Sequence, residues 1–79
     1  MQEFLLKEFY MEKSVKEFGK KVKKIRESKK MSQGDVANIL DVHRTYISSI
    51  ERGQRNPSLI TIGKFAKALG VKTSELIEK

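Results

Sequence analysis

The sequence predicts an all-α fold, a compact domain of five helices behind an N-terminal extension, and three observations support this. Val and Ile recur at spacings of three and four and never in alternation, so no segment reads as a strand. Helix-starting serines, Ser32 and Ser58, and helix-stopping glycines, Gly53 and Gly70, punctuate the apolar stretches. The single proline, Pro57, falls in a polar stretch between two of those stretches.

The first helix is read over residues 15–30. Val15, Phe18, Val22 and Ile25 form its apolar stripe, and Lys20, Lys21, Lys23, Lys24 and Lys30 lie on the other side. That lysine run reads as a solvated face more than as a phosphate track. Ser32 then caps a second helix, with Asp35 three positions on as a weak capping box. Val36, Ala37, Ile39 and Leu40 supply its apolar residues, while Gly34 inside it should cost about 1 kcal/mol relative to Ala. Asp41, Val42 and His43 break the chain before a third helix, about 44–52, which Gly53 ends in a left-handed cap. Ser58 caps a fourth helix whose inward stripe is Leu59, Ile62, Phe65, Ala66 and Leu69, stopped by Gly70. A fifth, around 74–78, turns Leu76 inward. Its neighbour Ile77 is left over for another surface, together with Ile60 and Val71.

Composition narrows the function. The chain has 79 residues, room for one domain, and no cysteine, so disulfides and cysteine-ligated zinc are excluded. The one histidine, His43, has no second His or Cys to share a metal, and nothing suggests a catalytic set. No metal, cofactor or small-molecule ligand is expected. No apolar run approaches the ~20 residues of a membrane span, and Met1, Gln2 and Glu3 do not resemble a basic leader. The expected location is the cytoplasm. The net charge is +7, and it is uneven. Residues 1–14 set Lys7 and Lys13 against Glu3, Glu8 and Glu12, a net of −1, which leaves +8 on residues 15–79. Such a balance favours a polyanionic partner.

Two short helices joined by a three-residue turn have the size of a helix-turn-helix, whose second helix enters the DNA major groove. Turning the third helix at ~100° per residue puts Tyr46, Ile47 and Ile50 on one side. Arg44, Thr45, Ser48, Ser49 and Arg52 fall on the other. Arg44 can bind guanine with two hydrogen bonds, and the methyl of Thr45 can meet that of thymine. From periodicity alone an ordinary polar surface helix fits equally well.

The ordered string Ser32-Gln33-Gly34-Asp35-Val36-Ala37, then Arg44-Thr45-Tyr46-Ile47-Ser48, Ile50-Glu51-Arg52-Gly53 and Arg55-Asn56-Pro57-Ser58, then Ala66-Lys67-Ala68-Leu69-Gly70-Val71, carries a closer identification. It resembles the XRE family of lambda repressor and Cro-type helix-turn-helix regulators, over about residues 18–78. The resemblance implies a lambda-repressor-like domain over 15–79, with residues 1–14 as an extension outside the family pattern. Being small, the chain looks most like the controller proteins of restriction-modification systems. Prophage repressors and antitoxins share the motif.

The resemblance implies base contacts by Arg44, Thr45 and Ser49, with Ser48 on the same face and Tyr46 near the backbone or a thymine methyl. It implies phosphate contacts by Gln33, Arg55 and Asn56, and the same face offers Arg52. An ion pair between Arg26 and Glu51 is implied too. His43 departs from the Ser or Thr common before the recognition helix, so either that helix starts weakly or His43 itself reaches the DNA. The implied partners are double-stranded DNA, bound at a palindromic operator, and a second copy of the chain, met through Ile60, Val71 and Ile77. A membrane-surface or protein-interaction module would explain the basic first helix, but it would not require the motif string. Phe4, Leu5, Leu6, Phe9, Tyr10 and Met11 make the extension apolar. It is read as partly helical, packing back on the domain, lengthening the first helix or joining a partner chain.

Overall fold

Five helices make up the computed structural model, which describes the backbone of residues 2–77 and the side chains of residues 14–77. They are α1 (Gln2–Ser28), α2 (Gln33–Leu40), α3 (Arg44–Glu51), α4 (Leu59–Leu69) and α5 (Thr73–Ile77), with no strand among the described residues. The fifth helix begins one residue earlier than its sequence reading, and Glu78 lies outside the described residues. In α1 the extension lengthens the first helix, one of the forms expected of it, and the helix ends at Ser28, before its expected end at 30. Its backbone is helical from Gln2 and passes position 14 unbroken. The side chains of the apolar extension, Phe4 to Met11, lie outside the described residues.

The apolar stripes converge on one core of Phe18, Val22, Val36, Ala37, Ile47, Ile50, Phe65, Ala66, Leu69 and Leu76. Phe65 of α4 is its centre and is fully buried. The Phe18 ring meets it edge-on at 5.7 Å between centroids, and Tyr46 of α3 stacks beside it at 6.5 Å. Edge-on and offset-stacked rings are the arrangements that aromatic quadrupoles favour. The core therefore fixes α3 through Ile47 and Ile50 on one side and leaves its opposite side free.

Three members of the sequence-read stripes do not join this core, one of them the half-buried Val15 of α1. Leu59 is 82% exposed. It is the first residue of α4 and lies roughly 70° from the centre of the arc made by Ile62, Phe65, Ala66 and Leu69. Ile39, on the outer side of α2, is 57% exposed.

Caps place each helix end. The Ser32 hydroxyl accepts from the Asp35 N–H at 2.9 Å, and the Asp35 carboxylate accepts from the Ser32 N–H at 2.8 Å, a complete capping box. Asp41 closes α2 in the left-handed region (φ 57°) and sends the chain into the three-residue turn. Ser58 caps α4 by accepting from the Thr61 N–H, and Gly70 ends it with a left-handed turn.

α1 and α3 touch almost backbone to backbone at Gly19. A Cβ built there would lie 2.3 Å from the Ile50 carbonyl oxygen and 2.9 Å from that of Glu51. Only a missing side chain permits this approach, which is what sets the depth of α3 against α1. Gly34 has no such neighbour, since its built Cβ meets only the Ser32 hydroxyl at an ordinary 3.6 Å. The two glycines should respond oppositely to alanine. Gly19→Ala should cost about 3 kcal/mol by overpacking, and Gly34→Ala should gain ~0.5–1 kcal/mol from helix propensity. Urea denaturation of both variants checks this; a neutral Gly19→Ala would contradict the packing described.

Candidate nucleic-acid interface

α3 begins at a histidine cap. His43 has extended backbone, and its ring Nδ1 accepts from the Thr45 N–H at 3.2 Å while also hydrogen-bonding the Thr45 hydroxyl at 2.8 Å. The weak helix start expected of a histidine is corrected here, because the ring Nδ1 accepts from the Thr45 N–H in the role usually taken by a serine oxygen. At the other end the Gly53 N–H donates to the Ile50 carbonyl and the Gln54 N–H to that of Ser49. Gly53 takes the left-handed φ of 70° that this ending needs.

A polar chain runs beneath the outer face. Arg26 of α1 and Glu51 of α3 are both buried and joined by two bonds, Nε to Oε2 at 2.6 Å and a second guanidinium nitrogen to Oε1 at 3.0 Å. The third Arg26 nitrogen donates to the Met31 carbonyl at 2.8 Å, tying in the loop before α2. The Glu51 bond raises the Arg26 pKa above its ordinary value, against the lowering effect of burial. Gln33, the first residue of α2, donates its amide to Glu51 Oε1 at 3.1 Å and accepts from Arg44 at 3.1 Å. One connected network thus links α1, α2 and both ends of α3.

Three arginines stand on the outer side, each held by neutral groups. Arg44 rests on Gln33. Arg52 donates twice to Gln54 Oε1, at 3.1 and 3.2 Å, and also to the Ser48 hydroxyl. Arg55 donates to Ser49 Oγ at 3.1 Å with its guanidinium 5.3 Å from the centre of the Tyr46 ring. None of the three pairs with a carboxylate among the described residues. The only acidic residue of α3 is Glu51, and Arg26 engages it from the opposite side.

The sequence-read residues are therefore not equivalent. Arg44, Thr45, Arg52, Arg55, Asn56 and His43 are exposed; Ser48, Tyr46 and Gln33 are half-buried. Ser49 departs from its reading as a base-facing residue. It is buried, donates to the Tyr46 carbonyl at 2.7 Å and accepts from Arg55, because the loop after α3 folds back over it. Gln54 was not read as a site residue, although a polar side chain two places beyond Arg52 is the only hint the sequence could have given. Away from this face, Ile60 and Ile77 are exposed, at 73% and 52%, and Val71 is half-buried. No helix of the described residues is long and apolar enough to cross a membrane.

A family model described as "Helix-turn-helix" matches residues 22–76. The control protein C.BamHI of Bacillus amyloliquefaciens is 56% identical over 62 residues, 77% of this chain and 76% of that protein. The crystal structure of the restriction-modification controller protein C.AhdI from Aeromonas hydrophila superposes with a TM-score of 0.75 at 39% identity, covering 78% of this chain and 94% of that one. A tetramer of the controller protein C.Esp1396I, solved with its natural 35 base-pair operator, gives 0.69 at 38% identity over 73% of this chain and 76% of that one.

The buried network makes a stability prediction. Glu51→Ala should strand the Arg26 charge and cost about 3 kcal/mol, as for other broken buried pairs. Glu27→Ala, on the exposed side of α1, should change stability little. Denaturant titration of the two variants measures the difference, and equal small effects would mean the pair does not hold α1 to α3.

Proposed function

The chain belongs to the helix-turn-helix family, and from that premise we propose that it is the controller protein of a restriction-modification system. In this reading it regulates transcription from a palindromic operator that it binds as a homodimer. The observation that carries the reading is the set of three arginines around α3 that neutral partners hold without neutralising. A DNA backbone rewards such unspent positive charge, and counterion release makes the reward dependent on salt. Arg44 and Thr45, exposed at the start of α3, take the base edges, with Ser48 and Tyr46 beside them. Arg52, Arg55, Asn56 and His43 take the phosphates on either side. Gln33 holds Arg44 and lies where a phosphate could share its amide. Ser49 acts from beneath, by holding Arg55.

One recognition helix spans only a few base pairs, too little contact for a regulator at cellular salt. Two copies about one helical turn apart, ~34 Å, supply the rest. The surface proposed for pairing them is the outer side of α4 and α5, where Leu59, Ile60 and Ile77 are exposed with Val71 at the margin. Gly63 sits among them on α4, and a Cβ built on it meets nothing within 4 Å. A mid-helix glycine that no contact in its own chain explains is suited to close approach by a partner backbone. The overlap of C.BamHI with three-quarters of both chains favours a controller over a prophage repressor or antitoxin. The proposal includes no catalytic step, and the site of action is the cytoplasm, where the operator is.

Selection of bound duplexes from a random pool should return a two-fold symmetric site. On that site Arg44→Ala should lose roughly 1–3 kcal/mol of affinity, with a smaller loss on random duplex. Equal losses on both would remove Arg44 from base reading, and a selected site without symmetry would remove the dimeric operator.

A further inference from the structure

Two hydroxyls stand on the outer side of α3, those of Thr45 and Ser48. A hydroxyl has one proton to give and two lone pairs to offer, so on its own it suits either kind of base edge. The neighbours of these two hydroxyls remove that freedom, and in opposite senses.

Thr45 is the second residue of α3, and its backbone N–H is one that the helix itself cannot satisfy. It donates to Nδ1 of His43 at 3.2 Å. An N–H can only donate, so Nδ1 is the acceptor and the ring proton is on Nε2. The same Nδ1 lies 2.8 Å from the Thr45 hydroxyl. With no proton on that nitrogen, the bond runs from the hydroxyl to the ring. The one proton of Thr45 is therefore engaged within the chain, and its exposed side chain has only lone pairs left for anything outside. The Tyr46 N–H, donating to the His43 carbonyl at 2.9 Å, ties the histidine backbone to the same turn.

Ser48 is the reverse case. Arg52 donates to its Oγ, which occupies a lone pair and leaves the proton without an acceptor among the described residues. A hydroxyl so placed completes its bonding by donating. The two hydroxyls thus differ in polarity although the sequence makes them look alike.

We infer that His43 is a specificity-determining residue that acts through Thr45, a role that rests on the base-reading placement of α3 proposed above. By holding the Thr45 proton it makes Thr45 a reader of amino groups. Adenine N6 and cytosine N4 offer a hydrogen to that oxygen, whereas guanine O6 and thymine O4 set lone pair against lone pair. A serine or threonine cap would carry a proton of its own and could donate to Thr45, so the histidine is what fixes the direction. Ser48 keeps its proton for an acceptor such as guanine N7 or thymine O4 and does not depend on His43.

Selection of bound duplexes from a random pool, repeated with Thr45→Val, locates the base pair that Thr45 reads. Valine keeps the shape and removes the hydroxyl, so the pair whose preference changes is the one. The amino group of that pair is then deleted in a synthetic duplex, with purine for adenine or 2-pyrimidinone for cytosine. The deletion should weaken the parent chain roughly five- to tenfold and leave Thr45→Val nearly indifferent. His43→Ser preserves a good helix cap but restores a proton to it, and this variant too should be nearly indifferent. His43→Asp, whose carboxylate only accepts, should respond to the deletion as the parent does, at lower overall affinity. The base pair located by Ser48→Ala should keep its preference in both His43 variants. The inference is overturned if the deletion leaves the parent's affinity unchanged, if Thr45→Val alters no position, or if His43→Ser responds as the parent does. It is equally overturned if His43→Asp behaves like His43→Ser. Each of these outcomes leaves operator binding through α3 intact, whereas a parent chain that selects no sequence removes that reading and the inference with it.

Discussion

The Arg26–Glu51 pair is the interaction on which the arrangement of this small domain depends. It joins the helix that anchors the core to the helix that faces outward. Gln33 and the Met31 carbonyl add the helix between them. A buried ion pair is seldom a net source of stability, because desolvation offsets much of the attraction. Its value here is geometric. Two guanidinium bonds to one carboxylate define direction as well as distance. The bare backbone at Gly19 then lets α3 settle to the depth those bonds require. Ridge-and-groove packing of short helices leaves some freedom of rotation, and the pair removes it.

The same pair also decides the electrostatics of the outer side. Glu51 is the only acid of α3, and left free it would neutralise or repel at the surface that meets a polyanion. Turned inward onto Arg26, it leaves Arg44, Arg52 and Arg55 against an amide, a hydroxyl and an aromatic ring. Those partners fix the guanidinium positions without cancelling their charge. A pre-positioned arginine loses less side-chain entropy on binding than a mobile one. One buried carboxylate thus orders the recognition helix and leaves its face cationic.

The helices and their ends were legible in the sequence because caps and periodicity are local signals. Ser32, Ser58, Gly53 and Gly70 all stand where their chemistry demands, and Leu76 turns in while Ile77 turns out. The failures share a cause. Ser49 and Leu59 were placed by their angle on a helix, but burial depends on what lies over that angle. For Ser49 a returning loop covers it; Leu59 stands at the edge of its arc, where nothing covers it. For His43 a general capping preference says little about one ring, and here its Nδ1 accepts from the Thr45 N–H. Gly19 gave no signal beyond being a glycine within an amphipathic stripe, since its reason lies on another helix 31 positions further along.

Domains of this size bury too little surface to be generously stable, yet this one leaves Leu59, Ile60 and Ile77 outside its core. A sequence tuned only for the isolated chain would use those positions for polar residues, and Gly63 for alanine. Keeping them makes sense if the chain is completed by another copy of itself, which buries them at no loss to its own core. Association then adds to folding stability by mass action, and the fraction of competent protein rises with its own concentration. For a regulator that binds as a pair, folding, pairing and operator occupancy become steps of one concentration-dependent equilibrium. The apolar residues that weaken the case for a self-sufficient monomer are the ones that would make its response to its own concentration steep.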